Sequence, residues 1–313
     1  MAQRTVVSVG GRQLSLSNLD KVLYPSSGTT KAAVIDYYVR VGPAMLRHLA
    51  GRPITLKRFP DGVAGGFFYE KNCPEHRPPW VPTVTVTTTG SGRWGRSSSG
   101  ATTIEFCLIQ DLPALVWVAN LAALELHPYL HRADAVDRPT LVVFDLDPGA
   151  PAGIVDCGRV ALRLRELFAG LGLECVAKTS GGKGLQVYVP LNTPVTYDRT
   201  TPFAKAVAQL LERQTPDRVT SNMNKAVRGG KVFVDWSQNS THKTTVGAYS
   251  LRARERPTVS TPLRWDEIAE AVDADEPARL VFELGDVVER VERHGELFAA
   301  AEERHQELPS LGP

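Results

Sequence analysis

Two aspartates, Asp145 and Asp147, stand one residue apart at the end of the apolar segment TLVVFDL (residues 140–146). This β-branched run predicts a strand, and alternate residues of a strand project to the same face, about 6–7 Å apart along its axis. Two carboxylates placed in this way repel each other unless a cation neutralises them. Because hard oxygen ligands suit Mg²⁺ or Mn²⁺, the spacing indicates a divalent metal site. The alternative is a pair of surface acids or a helix cap.

A third acid, Asp235, lies inside the short apolar segment VFVDW (residues 232–236). An acidic side chain among such neighbours is costly to bury without a partner. If this strand lies beside the first one, three carboxylates converge. Two-metal phosphoryl transfer uses that arrangement: one ion lowers the pKa of an attacking hydroxyl, and the other holds a triphosphate and its leaving group. The alternative is an aspartate at a strand edge in contact with water.

A glycine-rich turn, SGGKG (residues 180–184), separates two further strand-like segments. Glycine lets backbone N–H groups approach phosphate oxygens, and Lys183 adds a positive charge. The turn does not match the P-loop pattern, and a plain hairpin turn is the alternative. Arg228 and Arg252 are further basic side chains, for which solvated surface charges are the alternative. His127 comes at the end of an apolar stretch with helical spacing, where a structural role is the alternative.

A mixture of strands and helices has to position these residues. One helix follows a cap at Thr29 or Thr30, and its apolar stripe consists of Val34, Ile35, Tyr38 and Val41. Further helices are predicted over residues 111–126, 153–170 and 201–214, with an acidic helical end over 265–304. Strands are predicted over residues 53–58, 81–89, 101–109, 140–146, 173–179, 185–191 and 232–236. This order of elements predicts an α+β or mixed α/β fold.

The composition is that of a soluble globular protein. The chain has 313 residues, of which 42% are hydrophobic and 22% charged, so we expect two lobes folded as one catalytic unit. No signal-peptide core and no run of about 18 apolar residues is present, which favours a cytoplasmic protein. The four cysteines, at positions 73, 107, 157 and 175, form no C-x-x-C pair. We therefore expect free thiols in a reducing compartment and no disulfide framework.

Charge is distributed unevenly along the chain, although the net charge is only +2. Residues 1–60 carry nine lysines and arginines against two aspartates, whereas residues 265–307 carry fourteen acidic residues against four arginines. This asymmetry indicates a basic face for a polyanion and a solvated acidic end. Two oppositely charged, solvated faces are the alternative.

Four segments, in the order LAALELHPYL, FDLDPG, TSGGKGL and AVRGGKVFVDWSQN, resemble those of the polymerase domain of bacterial ligase D. That domain belongs to the archaeo-eukaryotic primase superfamily and serves non-homologous end joining. The resemblance extends from LSNLDKVLYP through FPDGVAGGFFYEKNCPEHRPPW to the C-terminal helices. It implies one module over residues 1–313, with an RRM-like central sheet flanked by helices. Its parts would be a basic DNA-end-binding part (1–60), a catalytic core (100–260) and an acidic helical end (265–313).

The resemblance also implies roles for individual residues. The catalytic carboxylates, which hold two Mn²⁺ or Mg²⁺ ions, are Asp145, Asp147 and Asp235. The residues implied to bind the incoming nucleotide are Lys57, Phe67, Phe68, His127, Ser180, Lys183, Arg228, Gln238 and Arg252. Those implied to bind a downstream 5′-phosphate are Asn18, Lys21 and Lys31, whose phosphate contacts position DNA without reading its sequence. A loop that places primer and template ends carries Arg93, Trp94 and Arg96.

The implied function is that of a metal-dependent primase-polymerase, which extends primers and fills gaps at DNA breaks. It would use nucleoside triphosphates, with ribonucleotides preferred over deoxyribonucleotides. Its partners would be 5′-phosphorylated DNA ends, the Ku end-binding protein and a separate ATP-dependent DNA ligase, with the protein associated with the nucleoid. A non-catalytic module that bridges DNA ends is the alternative. A haloacid-dehalogenase-like phosphohydrolase is disfavoured, because Pro148 and Gly149 follow the two aspartates at mid-chain.

The sequence departs from this family in two respects. Gln186 stands where the family often has histidine, so a role for that histidine does not carry over. No ligase motif or phosphoesterase segment is found up to residue 313. We therefore expect a stand-alone polymerase, with strand sealing by another protein.

Overall fold

Two β-sheets carry most of the core of this protein. The computed structural model describes residues 4–88 and 102–309, so the predicted loop residues Arg93, Trp94 and Arg96 lie outside the described residues. The fold is a mixed α+β fold, as the sequence predicts.

The N-terminal part consists of short hairpins followed by one long helix. Its elements are β1 (Arg4–Val9), β2 (Arg12–Ser17), β3 (Val22–Tyr24), β4 (Thr29–Thr30) and α1 (Lys31–Leu49). The side chain of Thr30 accepts a hydrogen bond from the N–H of Ala33, at 3.3 Å, which satisfies one of the free donors at the start of α1. The predicted apolar stripe of this helix is buried. Both the cap and the stripe are therefore confirmed.

The first sheet is antiparallel throughout and has the order β6-β5-β8-β7, with β9 also paired to β5. Its elements are β5 (Pro53–Arg58), β6 (Phe68–Glu70), β7 (Thr83–Thr88), β8 (Thr102–Leu108), helix α2 (Leu112–Asn120) and β9 (Ala123–Pro128). The register places Lys57 of β5 opposite Glu125 of β9 and Tyr69 of β6. These three side chains therefore share one face of the sheet.

The prediction of a helix over residues 111–126 is wrong for its second half. The helix ends at Asn120, Ala122 adopts a positive φ of 55°, and Ala123–Pro128 is a strand. The strand is buried on both faces, and a short apolar run of this kind has no alternation that distinguishes it from a buried helix. His127 consequently lies on a strand rather than at the end of a helix.

The second sheet has the order β13-β14-β10-β12-β11-β15, and only the β13–β14 pair is parallel. Its strands are β10 (Leu141–Pro148), β11 (Val176–Thr179), β12 (Leu185–Pro190), β13 (Val219–Thr220), β14 (Val232–Asp235) and β15 (Pro262–Leu263). Helices α3 (Ile154–Gly170) and α4 (Tyr197–Gln214) cover one face, where they pack on Val142, Phe144 and Leu146. The alternate residues of β10, Asp145 and Asp147 among them, therefore point to the opposite face.

The C-terminal end contains α5 (Trp265–Ala274), α6 (Leu284–His294) and α7 (Ala300–Glu303), which confirms the predicted acidic helical end. Short 3₁₀ turns lie at Lys225–Val227, Trp236–Gln238 and Pro277–Leu280. Within residues 4–88 and 102–309, no helix is both long enough and apolar enough to cross a membrane.

The basic N-terminal part and the acidic C-terminal end neutralise each other in part. Arg40 pairs with Glu292, Arg47 with Glu303, and Arg52 with Glu302. Four more of the nine basic residues pair with other acids, in the pairs Arg12–Asp111, Lys21–Asp61, Lys57–Glu125 and Arg58–Glu70. The expectation of an open basic face is therefore wrong for seven of these nine residues. The expectation of a solvated acidic end is confirmed, because ten of the fourteen acidic residues between 265 and 307 are exposed. A charge count along the sequence does not reveal which segments pack together.

The cysteines also differ from the expectation. Cys73 and Cys107 form a disulfide, with their Cα atoms 4.9 Å apart, whereas Cys157 and Cys175 are buried free thiols. The loop after β6 folds onto β8, and the N–H of Cys73 donates to the carbonyl of Glu105 at 2.6 Å. The disulfide joins positions 34 residues apart, which cysteine spacing alone does not predict.

A buried ion-pair network holds the C-terminal end against the rest of the fold. Arg52, which is 2% exposed, donates to Glu302 at 2.9 Å and to the carbonyl of Leu130 at 2.8 Å. Arg132 donates to the other carboxylate oxygen of Glu302 at 2.7 Å. Burial opposes ionisation of Glu302, but the charges of Arg52 and of the nearby His48 outweigh it and lower its pKa from 4.5 to about 2.

We predict that Glu302→Gln lowers the free energy of unfolding by about 3 kcal/mol at pH 7, because it leaves the buried Arg52 without its counter-charge. The pKa of Glu302 is depressed in the folded state, so its contribution is present above pH 4.5 and is lost as the pH falls towards 2. Urea unfolding of wild type and variant from pH 2 to pH 7 measures this difference. Glu303→Gln, at the exposed pair with Arg47, is the control and should change stability by less than about 0.5 kcal/mol. Equal losses for the two variants would contradict the prediction.

Candidate functional site

The three predicted carboxylates are brought together by the register of the second sheet. Asp145 of β10 lies directly opposite Asp235 of the neighbouring strand β14. Asp147 follows two residues later on the same face. Side chains of directly opposed residues in an antiparallel pair project to one face, with Cβ atoms about 4.5–5.5 Å apart. The register therefore brings the three predicted carboxylates to one face of the sheet.

The negative charges of these carboxylates repel one another. Burial, followed by the charge of Asp147, raises the pKa of Asp145 to about 7, although a hydrogen bond from Gln186 opposes the rise. Burial and the charge of Asp235 also raise the pKa of Asp147. A bound cation would relieve this repulsion, because it stabilises the ionised form of every carboxylate around it.

The carboxylate oxygens at this position are suitable ligands for a divalent metal, but both oxygens of Asp235 are hydrogen-bonded to neighbouring residues. Its Oδ1 accepts from the N–H and the hydroxyl of Ser237, at 2.9 and 2.5 Å, and its Oδ2 accepts from Gln238 Nε2 at 2.9 Å. In the described part of the chain, no three His, Cys, Asp or Glu side chains stand together closely enough to hold a metal ion. Asp235 would have to rotate away from Ser237 to join Asp145 and Asp147 as a ligand.

An open pocket of about 310 Å³ lies beside the carboxylates. Its lining includes seven of the residues proposed from the sequence: His127, Asp145, Asp147, Ser180, Lys183, Gln238 and Arg252. The lining also includes Gln186 and Arg254, for which no role was predicted from the sequence. Arg254 is exposed and stands two residues after Arg252, and this i, i+2 spacing in LRARE is the signal that could have found it.

The SGGKG turn is pressed against β10 rather than being a free hairpin. A Cβ on Gly184 would lie 1.9 Å from the carbonyl oxygen of Leu146, so only glycine allows this approach. Ser180 Oγ accepts from the N–H groups of Gly182 and Gly184, at 3.2 and 3.3 Å. The turn leaves the side chain of Lys183 exposed at the pocket.

A buried glutamate, which sequence reasoning missed, organises the positive side of the pocket. Glu125 is 2% exposed, and its carboxylate lies 2.9 Å from His127 Nε2, 3.3 Å from Lys57 Nζ and 3.4 Å from Arg252 Nε. It also accepts from the N–H of Ala253 at 3.1 Å. Burial opposes ionisation, but the bond from His127 and the charges of Arg252 and Lys57 hold the pKa of Glu125 well below its usual range. Had residues 123–128 been recognised as a strand, alternation would have placed Glu125 and His127 on one face.

The predicted aromatic pair does not share one face. Phe67 lies 4.4 Å below Lys57 Nζ and stacks on Phe59, whereas Phe68 lies against Arg58. Tyr69, two residues after Phe67, contacts both Phe67 and His127 edge-on. The aromatic surface beside the pocket therefore consists of Tyr69 of β6 and Phe67, which comes just before this strand.

Arg228 lies next to the carboxylates but outside the lining of the pocket. Its guanidinium stacks on Phe233 at 3.5 Å and donates to the carbonyl of Met223 at 2.6 Å, and its charge lowers the pKa of Asp147 against the effect of burial. A Cβ on Gly149 would lie 2.0 Å from the carbonyl oxygen of Arg228. This contact explains the glycine that ends the FDLDPG segment.

The residues proposed for a 5′-phosphate lie together in the N-terminal part. Asn18 and Lys21 line a separate open pocket of about 620 Å³. The N–H of Lys31 donates to the carbonyl of Lys21 at 2.8 Å, but its side chain turns inward to the carbonyl of Ser17 at 2.6 Å. Burial, followed by the charges of Lys21 and Arg58, lowers the pKa of Lys31 to about 8. Lys21 is therefore the more accessible cation of the pair.

Known proteins resemble this chain over most of its length. A family model described as the LigD primase-polymerase domain matches residues 30–298. The multifunctional non-homologous end joining protein LigD of Mycolicibacterium smegmatis is 43% identical over 289 residues, which cover 92% of this chain and 36% of that protein. The bifunctional non-homologous end joining protein LigD of Bacillus subtilis is 29% identical over 284 residues, which cover 90% and 43%.

A solved structure agrees with these relatives. The polymerase domain from Mycobacterium tuberculosis ligase D in complex with DNA superimposes with a TM-score of 0.83 and 41% identity, over 94% of this chain and 99% of that chain. The chain thus spans less than half the length of the curated relatives that it matches.

We predict that Glu125→Gln lowers the free energy of unfolding by about 2–4 kcal/mol, because the partly buried Lys57 and Arg252 lose their shared counter-charge. Inorganic tripolyphosphate should then raise the melting temperature of the variant more than that of wild type, since a bound polyanion replaces the missing charge. Differential scanning calorimetry with and without tripolyphosphate measures both effects.

Glu70→Gln is the matched control, because Glu70 pairs with Arg58 in the same sheet away from the pocket. This control should show no added response to tripolyphosphate. An equal response from both variants would mean that Glu125 does not organise the cations of the pocket.

Proposed function

The chain belongs to the family of LigD primase-polymerase domains, and on that premise we propose that it is a nucleotidyltransferase that joins nucleoside triphosphates to primer ends at DNA breaks. The observation that carries the proposal is the placement of Asp145 opposite Asp235, with Asp147 on the same face and a cation-lined pocket beside them. Strained carboxylates next to fixed cations suit a substrate that brings both a metal ion and a polyanion.

The acidic side of the pocket would hold Mn²⁺ or Mg²⁺ through Asp145 and Asp147, with Asp235 joining after its side chain rotates. When bound, the ions lower the pKa of the attacking primer hydroxyl and neutralise the triphosphate. Until then, Ser237 and Gln238 donate hydrogen bonds to the Asp235 carboxylate. Gln238, once released from Asp235, becomes free to donate to the nucleotide.

The basic side of the pocket would orient the triphosphate. Lys183 and Arg254 are exposed at the lining, whereas Arg252 is fixed by its bond to the carbonyl of Ser180 at 2.8 Å. A triphosphate that enters here shares Arg252 with Glu125 and meets a donor that is already in position, so less conformational entropy is lost on binding. Phe67 and Tyr69 offer an apolar surface on which a base can pack.

The separate pocket lined by Asn18 and Lys21 supports gap filling rather than simple extension. The 5′-phosphate of a downstream DNA end would bind in this pocket. The preference for ribonucleotides, the association with Ku and a separate ligase, and the location at the nucleoid rest on the family resemblance. The decisive assay compares incorporation of rNTPs and dNTPs on gapped, recessed and unprimed DNA in the presence of Mn²⁺. DNA binding without incorporation on any substrate would instead indicate an end-bridging module.

We predict that Asp145→Asn reduces incorporation on a gapped, 5′-phosphorylated duplex by at least about a hundredfold, equal to about 2.7 kcal/mol of transition-state stabilisation. Without metal the variant should be more stable than wild type at pH 8. The pKa of Asp145 is raised to about 7 in the fold, so the wild-type protein loses stability from about pH 4, where this carboxyl ionises in the unfolded chain, up to about pH 7.

Mn²⁺ should remove this stability difference by stabilising only the wild type. Melting temperatures with and without Mn²⁺ provide the measurement, and Asp273→Asn, at an exposed position of α5, is the control. Full activity of Asp145→Asn would remove this aspartate from the proposed metal site.

We predict that Lys21→Ala lowers the preference for a 5′-phosphorylated gap over an unphosphorylated one by about fivefold to tenfold, the effect of about 1–1.4 kcal/mol from one phosphate contact. Extension of a recessed primer should change little. Asp61→Asn is the matched variant, because it frees Lys21 from its ion pair and should keep or increase the preference. Equal losses for Lys21→Ala on gapped and recessed substrates would show that no separate phosphate pocket acts at this position.

A further inference from the structure

A row of four polar side chains, two of them carboxylates of the proposed metal site, crosses four adjacent strands. Asp235 of β14 is opposite Asp145 of β10, Asp145 is opposite Gln186 of β12, and Gln186 is opposite Lys178 of β11. All four therefore project to the same face of the sheet. Lys178 is 1% exposed and Gln186 is 3% exposed, so the inner half of the row is closed to solvent.

Hydrogen bonds connect the inner half of this row in one direction. Lys178 Nζ donates to Gln186 Oε1 at 2.5 Å and to Ser260 Oγ at 2.6 Å. Gln186 Nε2 in turn donates to Asp145 Oδ1 at 3.0 Å. The hydroxyl of Ser260 is itself donated to the carbonyl of Thr179 at 2.9 Å, so its oxygen can only accept from Lys178.

The surroundings of Gln186 permit one orientation of its amide. Burial lowers the pKa of Lys178 well below its ordinary value, but even a neutral amine has two N–H donors. Ser260 Oγ accepts one of them, so the amide oxygen of Gln186 must face Lys178 to accept the other. Tyr188 also presents its hydroxyl to the same oxygen, at 3.0 Å. The reversed amide would set its NH₂ group against the Lys178 donors and its oxygen against Asp145 Oδ1, which costs the desolvation of every group left unpaired.

We propose that Lys178 is a positioning residue for the proposed metal site and acts through Gln186. By fixing the amide, it ties Asp145 Oδ1 to Gln186 Nε2 and holds the carboxylate in one rotamer. Within the described residues Oδ2 of Asp145 has no hydrogen-bond partner, so this oxygen is left for a ligand in the pocket. The inference rests on the proposed function for its consequence, metal binding, but not for the arrangement of Lys178, Gln186 and Asp145.

The arrangement is tested without metal by the side-chain amide signals of Gln186 in ¹⁵N-glutamine-labelled protein, identified from their loss in Gln186→Leu. Lys178→Met, which keeps the aliphatic stem and removes the donors, should shift these signals and speed exchange of the amide hydrogens. Asp145→Asn should move the same signals from the other end of the row. Lys205→Met, at an exposed lysine of α4, is the matched control and should leave them unchanged.

The consequence is tested by titrating Mn²⁺ into the metal-free protein and measuring its Kd by calorimetry. Lys178→Met should weaken Mn²⁺ binding by about tenfold to a hundredfold, the range for groups that orient a metal ligand. If Lys178 acts through Gln186, the double variant with Gln186→Leu should bind Mn²⁺ no more weakly than Gln186→Leu alone. Ser260→Ala keeps the lysine but removes its second acceptor, and it should give a smaller loss of the same kind. It serves in place of Lys178→Met if that variant does not fold.

Unchanged Gln186 signals in Lys178→Met, wild-type Mn²⁺ affinity, or losses that add in the double variant would each overturn the proposal. A wild-type protein that binds no Mn²⁺ would count against the proposed function instead. In that case the Gln186 signals still decide whether Lys178 orders the amide that holds Asp145.

Discussion

The functional site of this structure depends on the repulsion between two carboxylates that are held opposite each other on neighbouring strands. The register of β10 against β14 places Asp145 beside Asp235, and like charges in directly opposed positions destabilise a sheet. The strands cannot separate to relieve the repulsion, because β10 is hydrogen-bonded on both edges and packs on α3 and α4. The fold therefore maintains a site whose charge is balanced only when a cation or protons are bound.

On the positive side of the site, the charges that would repel each other are cationic. Lys57, His127 and Arg252 come from two strands and a late loop, and the charges of Lys57 and Arg252 would repel each other without a counter-charge. The buried carboxylate of Glu125 gives them a common partner and a fixed geometry. The acidic group comes from the second sheet, whereas Glu125 and two of its three partners come from the first, so the relative position of the two sheets determines whether the site can form at all.

Much of the site could be predicted from the sequence, because its strongest signals are local. The i, i+2 spacing of Asp145 and Asp147 after an apolar strand depends only on strand geometry. The glycines of SGGKG and FDLDPG mark close backbone contacts, with Leu146 and Arg228 respectively. Most helix and strand positions follow from apolar periodicity, and the helix cap at Thr30 from one hydroxyl. The error over residues 123–128 arose where that periodicity fails, in a short strand buried on both faces.

The sequence by itself determined which chemical groups are present and, through the order of its segments, their resemblance to the ligase D polymerase domain. The tertiary structure alone decided which of them meet. It paired Arg52 with Glu302, joined Cys73 to Cys107, selected Tyr69 rather than Phe68 as the partner of Phe67 at the pocket, and placed Glu125 among the cations. The physical reason is the range of the forces involved. Side-chain alternation acts between neighbours in the chain, whereas hydrogen bonds and charge pairs act between neighbours in space, which only strand register and helix packing define.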